Sequence, residues 1–209
     1  MLPVRVFFKK QGVAAYISHL DLQRAVFRAI LRSGVRPCYT EGFNPHIKLA
    51  FAVSLSVYQE SECEIFDFFS EDDLPYEEIT RRLQNSFPEC LQVIRAAAPQ
   101  RKASELALAD YTVDLVTPLG ADEIKELLSG SITVIKKSKK GDTPTDISPL
   151  IKSMRFEQTE NGVRIYIRCA CGSGDHLNLR YLTDFLGENI TDSRVVRTAL
   201  LTAQGEELR

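Results

Sequence analysis

Apolar positions recur with two different periods along the chain, and each change of period marks a new element. Val4-Arg5-Val6-Phe7-Phe8 is β-branched and aromatic and predicts a strand. After Ser18 the period lengthens: Leu22, Ala25, Val26, Ala29 and Ile30 follow helical spacing. Ser18-His19-Leu20-Asp21 has the form of a capping box, with Asp in place of the commoner Glu or Gln. Gly34 and Pro37 stop that helix, and residues 39–46 form a polar loop rich in turn formers. Lys48 to Leu55 and Cys63 to Phe69 predict two further strands. Pro75 opens a second helix carrying Ile79, Leu83 and Phe87 on one side, and Leu91 to Ala96 predicts a fourth strand. The order β-α-β-β-α-β is the ferredoxin-like plan.

Residues 99–105 are polar, and the plan then repeats in element order, though not in residues. Tyr111 to Val116 predicts a strand, Ala121 to Leu128 a helix, and Ile132 to Lys137 a strand ending in a Lys-rich turn at Lys139-Lys140-Gly141-Asp142. Asp146 to Ile151 reads as irregular. Met154 to Thr159 and Val163 to Cys171 flank Asn161-Gly162, a strong hairpin signal. Leu177 to Leu186 predicts a helix stopped by Gly187, and Val195 to Thr202 the last strand. The expected fold is α+β: two tandem ferredoxin-like (βαββαβ) halves with antiparallel sheets. The expected domains are 1–98, a linker at 99–108, and 109–209 with an extra strand or insertion.

Composition narrows the setting. The chain has 209 residues and 44% hydrophobic residues, ordinary for a globular protein. It has no apolar stretch near the length of a membrane span and no secretory leader pattern, so the expected location is the cytoplasm. Five scattered cysteines, Cys38, Cys63, Cys90, Cys169 and Cys171, do not suggest a disulfide framework. The net charge of −2 conceals an asymmetry. Residues 1–60 hold eight Lys or Arg against three Asp or Glu, and residues 61–90 hold two against nine. Either the basic segment meets an anionic partner, or the two segments neutralise each other in the fold.

Three groups of residues can carry chemistry. His19 lies in the first turn of a helix, whose dipole disfavours the imidazolium. A neutral imidazole can act as a general base near pH 7. Capping alone explains Ser18 and Asp21. Arg24, Arg28 and Arg32, spaced by four, form one helical row with Arg36 just beyond. Such a row can grip successive phosphates, or serve as a solvated face paired with the acidic segment at 71–78. In Glu41-Gly42-Phe43-Asn44-Pro45-His46, followed by Lys48, an exposed Phe43 can stack on a base, with His46 and Lys48 on phosphate. A buried Phe43 would instead anchor a tight turn. Gly42 and Pro45 shape that loop.

Other groups point away from metals and cofactors. Ile165, Ile167, Cys169 and Cys171 alternate on one apolar strand face, so the cysteines pack as small hydrophobes beside His176. Strand alternation puts Glu62 and Glu64 on one face and Asp67 on the other, which disfavours a three-carboxylate cation site. No nucleotide-binding glycine loop, nucleophile elbow or iron–sulfur cysteine run is present. No metal, cofactor or disulfide partner is expected.

Tyr16-Ile17-Ser18-His19-Leu20-Asp21, Gly42-Phe43-Asn44-Pro45-His46, and Ser61 with Glu64 and Asp67 resemble the uncharacterised bacterial radical SAM-linked proteins. In that family this domain of unknown function stands alone or is fused behind a radical SAM enzyme. The resemblance implies a radical SAM partner, and the family's gene neighbours imply a link to RNA or ribosomes. Lacking the cluster-binding cysteines, this chain would be the linked domain and not the radical SAM catalyst. A second resemblance is to the ferredoxin-like endoribonucleases of CRISPR systems, many of which use a histidine near the first helix. Their C-terminal Gly-rich loop has only the short run Cys171-Gly-Ser-Gly174 to match it here. Three functions are therefore expected as alternatives. The first is a non-catalytic module presenting tRNA or rRNA for modification. The second is a metal-independent endoribonuclease using His19, and the third is a protein-interaction scaffold.

Overall fold

Val4, Val6 and Phe8 fall on one side of the first strand because successive strand residues point to opposite faces, and all three are fully buried. The computed structural model describes residues 1–138 and 141–209. The chain divides into two units, Met1–Leu106 with Glu207–Arg209, and Ala107–Glu206. Both mix helices with antiparallel strands.

The first unit runs β1 (Leu2–Lys10), α1 (His19–Arg32), β2 (Leu49–Phe51), β3 (Gln59–Ser70), α2 (Tyr76–Ser86) and β4 (Val93–Ala97). Its strand order is β4-β1-β3, with β2 paired to β3. Leu22, Val26, Ala29 and Ile30 of α1 and Ile79 and Leu83 of α2 bury against Val6, Phe8, Phe66 and Phe68. Ser18 caps α1: its hydroxyl accepts from the Asp21 N–H at 3.1 Å and donates to the Asp21 carboxylate at 2.7 Å. The second strand is shorter than the expected Lys48–Leu55. Ala52 N–H makes one more bond to β3, at the Ile65 carbonyl, and the chain then runs to a turn at Tyr58, whose φ is +68°.

A β-bulge corrects the expected alternation in β3. Phe8 faces Glu64 but Lys10 faces Ser61, so two steps on β1 oppose three on β3. Glu62 and Glu64 therefore do not share a face: Glu62 is exposed, and Glu64 is buried with Ser61.

The second unit contains β5 (Leu106–Val116), α3 (Ala121–Leu127), β6 (Thr133–Ser138), β7 (Gly141–Asp146), β8 (Ile151–Thr159), β9 (Gly162–Ala170), α4 (Arg180–Leu186) and β10 (Asp192–Thr202). Its sheet has the order β10-β5-β9-β8, while β6 and β7 form a separate hairpin after α3. Of the Lys-rich turn, Lys139 and Lys140 lie outside the described residues, and Gly141-Asp142 opens β7. Residues 99–108, expected as a linker, include a 3-10 turn at Ala103–Glu105 and the start of β5. Ile165, Ile167, Cys169 and Cys171 are all buried, as their alternation requires. Among the described residues no helix is long and apolar enough to cross a membrane.

Candidate functional site

The bulge in β3 turns polar residues into the covered end of the first unit's sheet. Lys10 extends the inward series Val4, Val6, Phe8, so strand parity buries it, at 1% exposure. Its ammonium donates to the Gln59 carbonyl at 3.2 Å. Glu64 is equally buried, and Ser61 is fully so. Burying a charge is costly unless it is compensated, so two opposite charges on neighbouring strands mark a specialised spot.

His19, the first residue of α1, belongs to this cluster. Its ring stands edge-on to Phe51, with centroids 5.1 Å apart and planes at 77°. Gln23 Nε2 lies 3.2 Å from His19 Nε2, and an amide donating there leaves the ring proton on Nδ1. Nδ1 is buried without a hydrogen-bond partner among the described residues. Burial lowers the imidazole pKa, opposed by the nearby Glu64 carboxylate, so His19 is neutral at pH 7. The neutrality expected from the helix N-terminus is here caused by burial. A neutral, half-buried imidazole beside a carboxylate can accept a proton.

The arginine row lies on the solvent side of α1. Arg24, Arg28 and Arg32 are all exposed. Arg24 reaches Asp21 at 3.2 Å on the surface, and Arg32 donates to the Ser86 carbonyl at 2.8 Å. Arg28 has no side-chain partner among the described residues. Arg36 is different. Its guanidinium meets Asp72 at 2.6 Å, and its backbone N–H donates to the same carboxylate at 2.9 Å. The backbone bond and then the guanidinium bond hold the Asp72 carboxyl below its ordinary range, and the guanidinium bond raises Arg36 in turn. Part of the basic segment is therefore neutralised by the acidic one, as Arg5 with Asp67 and Arg36 with Asp72, while the α1 row is left outside that pairing. Glu78 takes Arg81 and Arg82 from its own helix, which pulls its carboxyl down to about 2.

The loop at 41–46 is exposed throughout, and the Phe43 ring is fully in solvent. It is not the buried anchor of a tight turn. Thr40 and His46 close it, with Thr40 N–H donating to the His46 carbonyl at 2.7 Å and His46 N–H to the Thr40 hydroxyl at 3.0 Å. Asn44 and the His46 ring are exposed, and Lys48 is partly so. The loop leads into β2 from the C-terminal end of α1, whereas Phe51 at the other end of β2 touches His19. The fold thus gathers Ser18, His19, Ser61 and Glu64 at one end of α1 and places Gly42 to His46 at the other. Asp67 joins neither group; it is bound to Arg5.

The sequence reading passed over Lys10 and Gln59, although the inward parity of Lys10 was visible. Among the described residues no group of His, Cys, Asp and Glu could hold a metal ion.

Residues 4–180 match the family described as "Uncharacterized protein conserved in bacteria (DUF2344)", and the chain belongs to that family. None of the curated proteins matches the chain. Among solved structures, a chain of a Cbf5-Nop10-Gar1 complex is similar at 10% identity and a TM-score of 0.47, over 94% of this chain and 48% of its own length. This chain therefore spans about half the length of that one. An unknown protein from Galdieria sulphuraria has a TM-score of 0.28 at 10% identity, over 94% of this chain and 98% of its own. A crystal structure described as a glycine cleavage system transcriptional repressor has a TM-score of 0.26 at 10% identity, over 93% of this chain and 97% of its own.

Proposed function

We propose that this member of the bacterial family is an RNA-binding accessory module that holds tRNA or rRNA for modification by a radical SAM enzyme. One observation carries the reading: Arg24, Arg28 and Arg32 stand exposed in a row on α1, and the solvent-exposed Phe43 loop lies at that helix's C-terminal end. Guanidinium groups pair bidentately with phosphate, and an exposed ring offers a face to a base. His46 and Lys48 add donors beside Phe43. Both units are read as ferredoxin-like. In each, the outer strands flank the first and third strands in the order fourth, first, third, second, and this supports the reading. Binding of purified chain to bulk cellular RNA at low salt, and its loss in the Arg24/Arg28/Arg32→Ala variant, tests the proposal. Co-purification with a radical SAM protein tests the partner.

A second reading rests on the neutral, half-buried His19 beside Glu64. It makes the chain a metal-independent endoribonuclease with His19 as base. His19→Ala should then abolish cleavage and spare binding. RNA that stays intact with the wild-type chain removes this reading.

A further inference from the structure

Beside the His19 cluster stand two tyrosines that the functional reading has not used. Tyr16 ends a 3-10 turn, Gly12–Tyr16, and Tyr58 ends the turn before β3. They are 68% and 64% exposed, yet their rings meet edge to face with centroids 5.7 Å apart and planes at 81°. Aromatic rings of this size usually bury most of their area.

Their backbones are held in place. Tyr58 N–H donates to the Ala15 carbonyl at 2.8 Å, and Gly12 N–H donates to the Glu60 carboxylate at 2.7 Å. The buried Lys10 ammonium fixes the next carbonyl, that of Gln59. Tyr58 itself sits at φ +68°, the one non-glycine with a positive φ among the described residues. A bulky side chain seldom adopts that conformation, and it persists only where its surroundings over-determine it. The core does not require the Tyr58 ring, because the ring is in solvent. The bonds and the strained turn together hold an aromatic surface at a set place.

The segment that carries Tyr16 runs directly into the arginine helix: Tyr16 stands two residues before the Ser18 cap of α1. On α1, steps of four from Leu20 give Arg24, Arg28 and Arg32, and Leu20 is 54% exposed. Within α1 such spacing forms one line. Exposed rings followed by guanidinium groups suit an unpaired base with its trailing phosphates. In a duplex the bases are already stacked and their faces are hidden. We infer that Tyr16 and Tyr58 form a stacking step for an unpaired base of single-stranded or looped RNA, whose phosphates run along α1. The inference rests on the RNA reading above and narrows it to unpaired RNA, with the stacked base beside His19.

The test uses the full chain and a short RNA carrying 2-aminopurine, free or annealed to its complement. Stacking on a ring quenches that fluorophore. The wild-type chain should quench the single strand and bind it about ten-fold more tightly than the duplex. Tyr16→Ala with Tyr58→Asn should lose the quenching and about ten-fold in affinity. Asn tolerates a left-handed backbone better than Tyr, so Tyr58→Asn alone should keep or raise the Tm. Tyr58→Phe should bind as the wild type does. Unchanged quenching and affinity in the double variant, while Arg24/Arg28/Arg32→Ala loses binding, overturns the stacking step and leaves the RNA reading standing. Equal affinity of the wild type for duplex and single strand also overturns the step. No RNA binding by the wild type overturns both.

Discussion

Arg5 and Asp67 face each other across β1 and β3 and share two hydrogen bonds of 2.7 Å, Nε to Oδ1 and Nη2 to Oδ2. Arg5 is 1% exposed, and its remaining edge donates to the Arg209 carbonyl at 2.9 Å. Removing one member of such a pair leaves a buried charge uncompensated, at a cost of about 3 kcal/mol or more. Asp67→Ala should therefore lower the unfolding free energy in urea by about that amount. Replacing both members with apolar residues should recover much of it. An Asp67→Ala protein as stable as the wild type contradicts this role.

Gly162 is a second point of stability. Its φ is +148°, and a Cβ there would lie 2.1 Å from the Leu115 carbonyl oxygen. Backbone atoms cannot yield as a flexible side chain does. Gly162→Ala should destabilise the second unit by roughly 2 kcal/mol or more, through strain and loss of the β8–β9 turn. Denaturant melts of the variant check this, and an unchanged midpoint would rule it out.

The lowered His19 pKa has a defined consequence for stability. Above the ordinary value of 6.5, His19 is neutral in folded and unfolded chains alike. As the pH falls below it, the unfolded chain binds a proton that the folded chain resists. Stability is therefore complete above 6.5 and declines as the pH falls toward the folded pKa. His176, lowered chiefly by burial, adds a decline of the same sign. The unfolding free energy of His19→Gln should vary less between pH 7 and pH 5 than that of the wild type. Parallel profiles would mean that His19 does not resist protonation in the fold.

Cys169 is buried, and burial is the main cause pushing its thiol up to about 12. The thiolate is the reactive form. In native protein Cys169 should stay unmodified by a thiol reagent and react only with unfolding, which mass mapping of labelled peptides would read directly. Rapid native labelling would contradict its placement in the core.

Much of the architecture was legible because its signals are local. The helical spacing from Leu22 to Ile30, the Ser18 cap and the Asn161-Gly162 turn each act within a few residues. The hairpin of β6 and β7 was half visible. Gly141-Asp142-Thr143-Pro144 has neither the β-branched run nor the alternation that mark a strand, and only pairing with Thr133–Ser138 makes it one. The orientation of Glu64 was hidden for a different reason. Alternation assumes an unbroken ladder, and the bulge opposite Phe8 and Lys10 is a property of two paired strands. The cluster of Lys10, His19 and Glu64 likewise depends on β1, α1 and β3 meeting. The arginine row needed only helix geometry, but its freedom from the acidic segment depended on where Asp67 and Asp72 come to lie.

The salt dependence of RNA binding tests the central claim most directly. For a single strand each phosphate neutralised contributes about 0.7 to the slope of log K against log salt. The wild-type chain should bind single-stranded RNA with a steep slope, and Arg24/Arg28/Arg32→Ala should bind more weakly with a slope shallower by about 2. Equal slopes, or no binding by the wild-type chain at low salt, would contradict the assignment of α1 as the RNA-binding face.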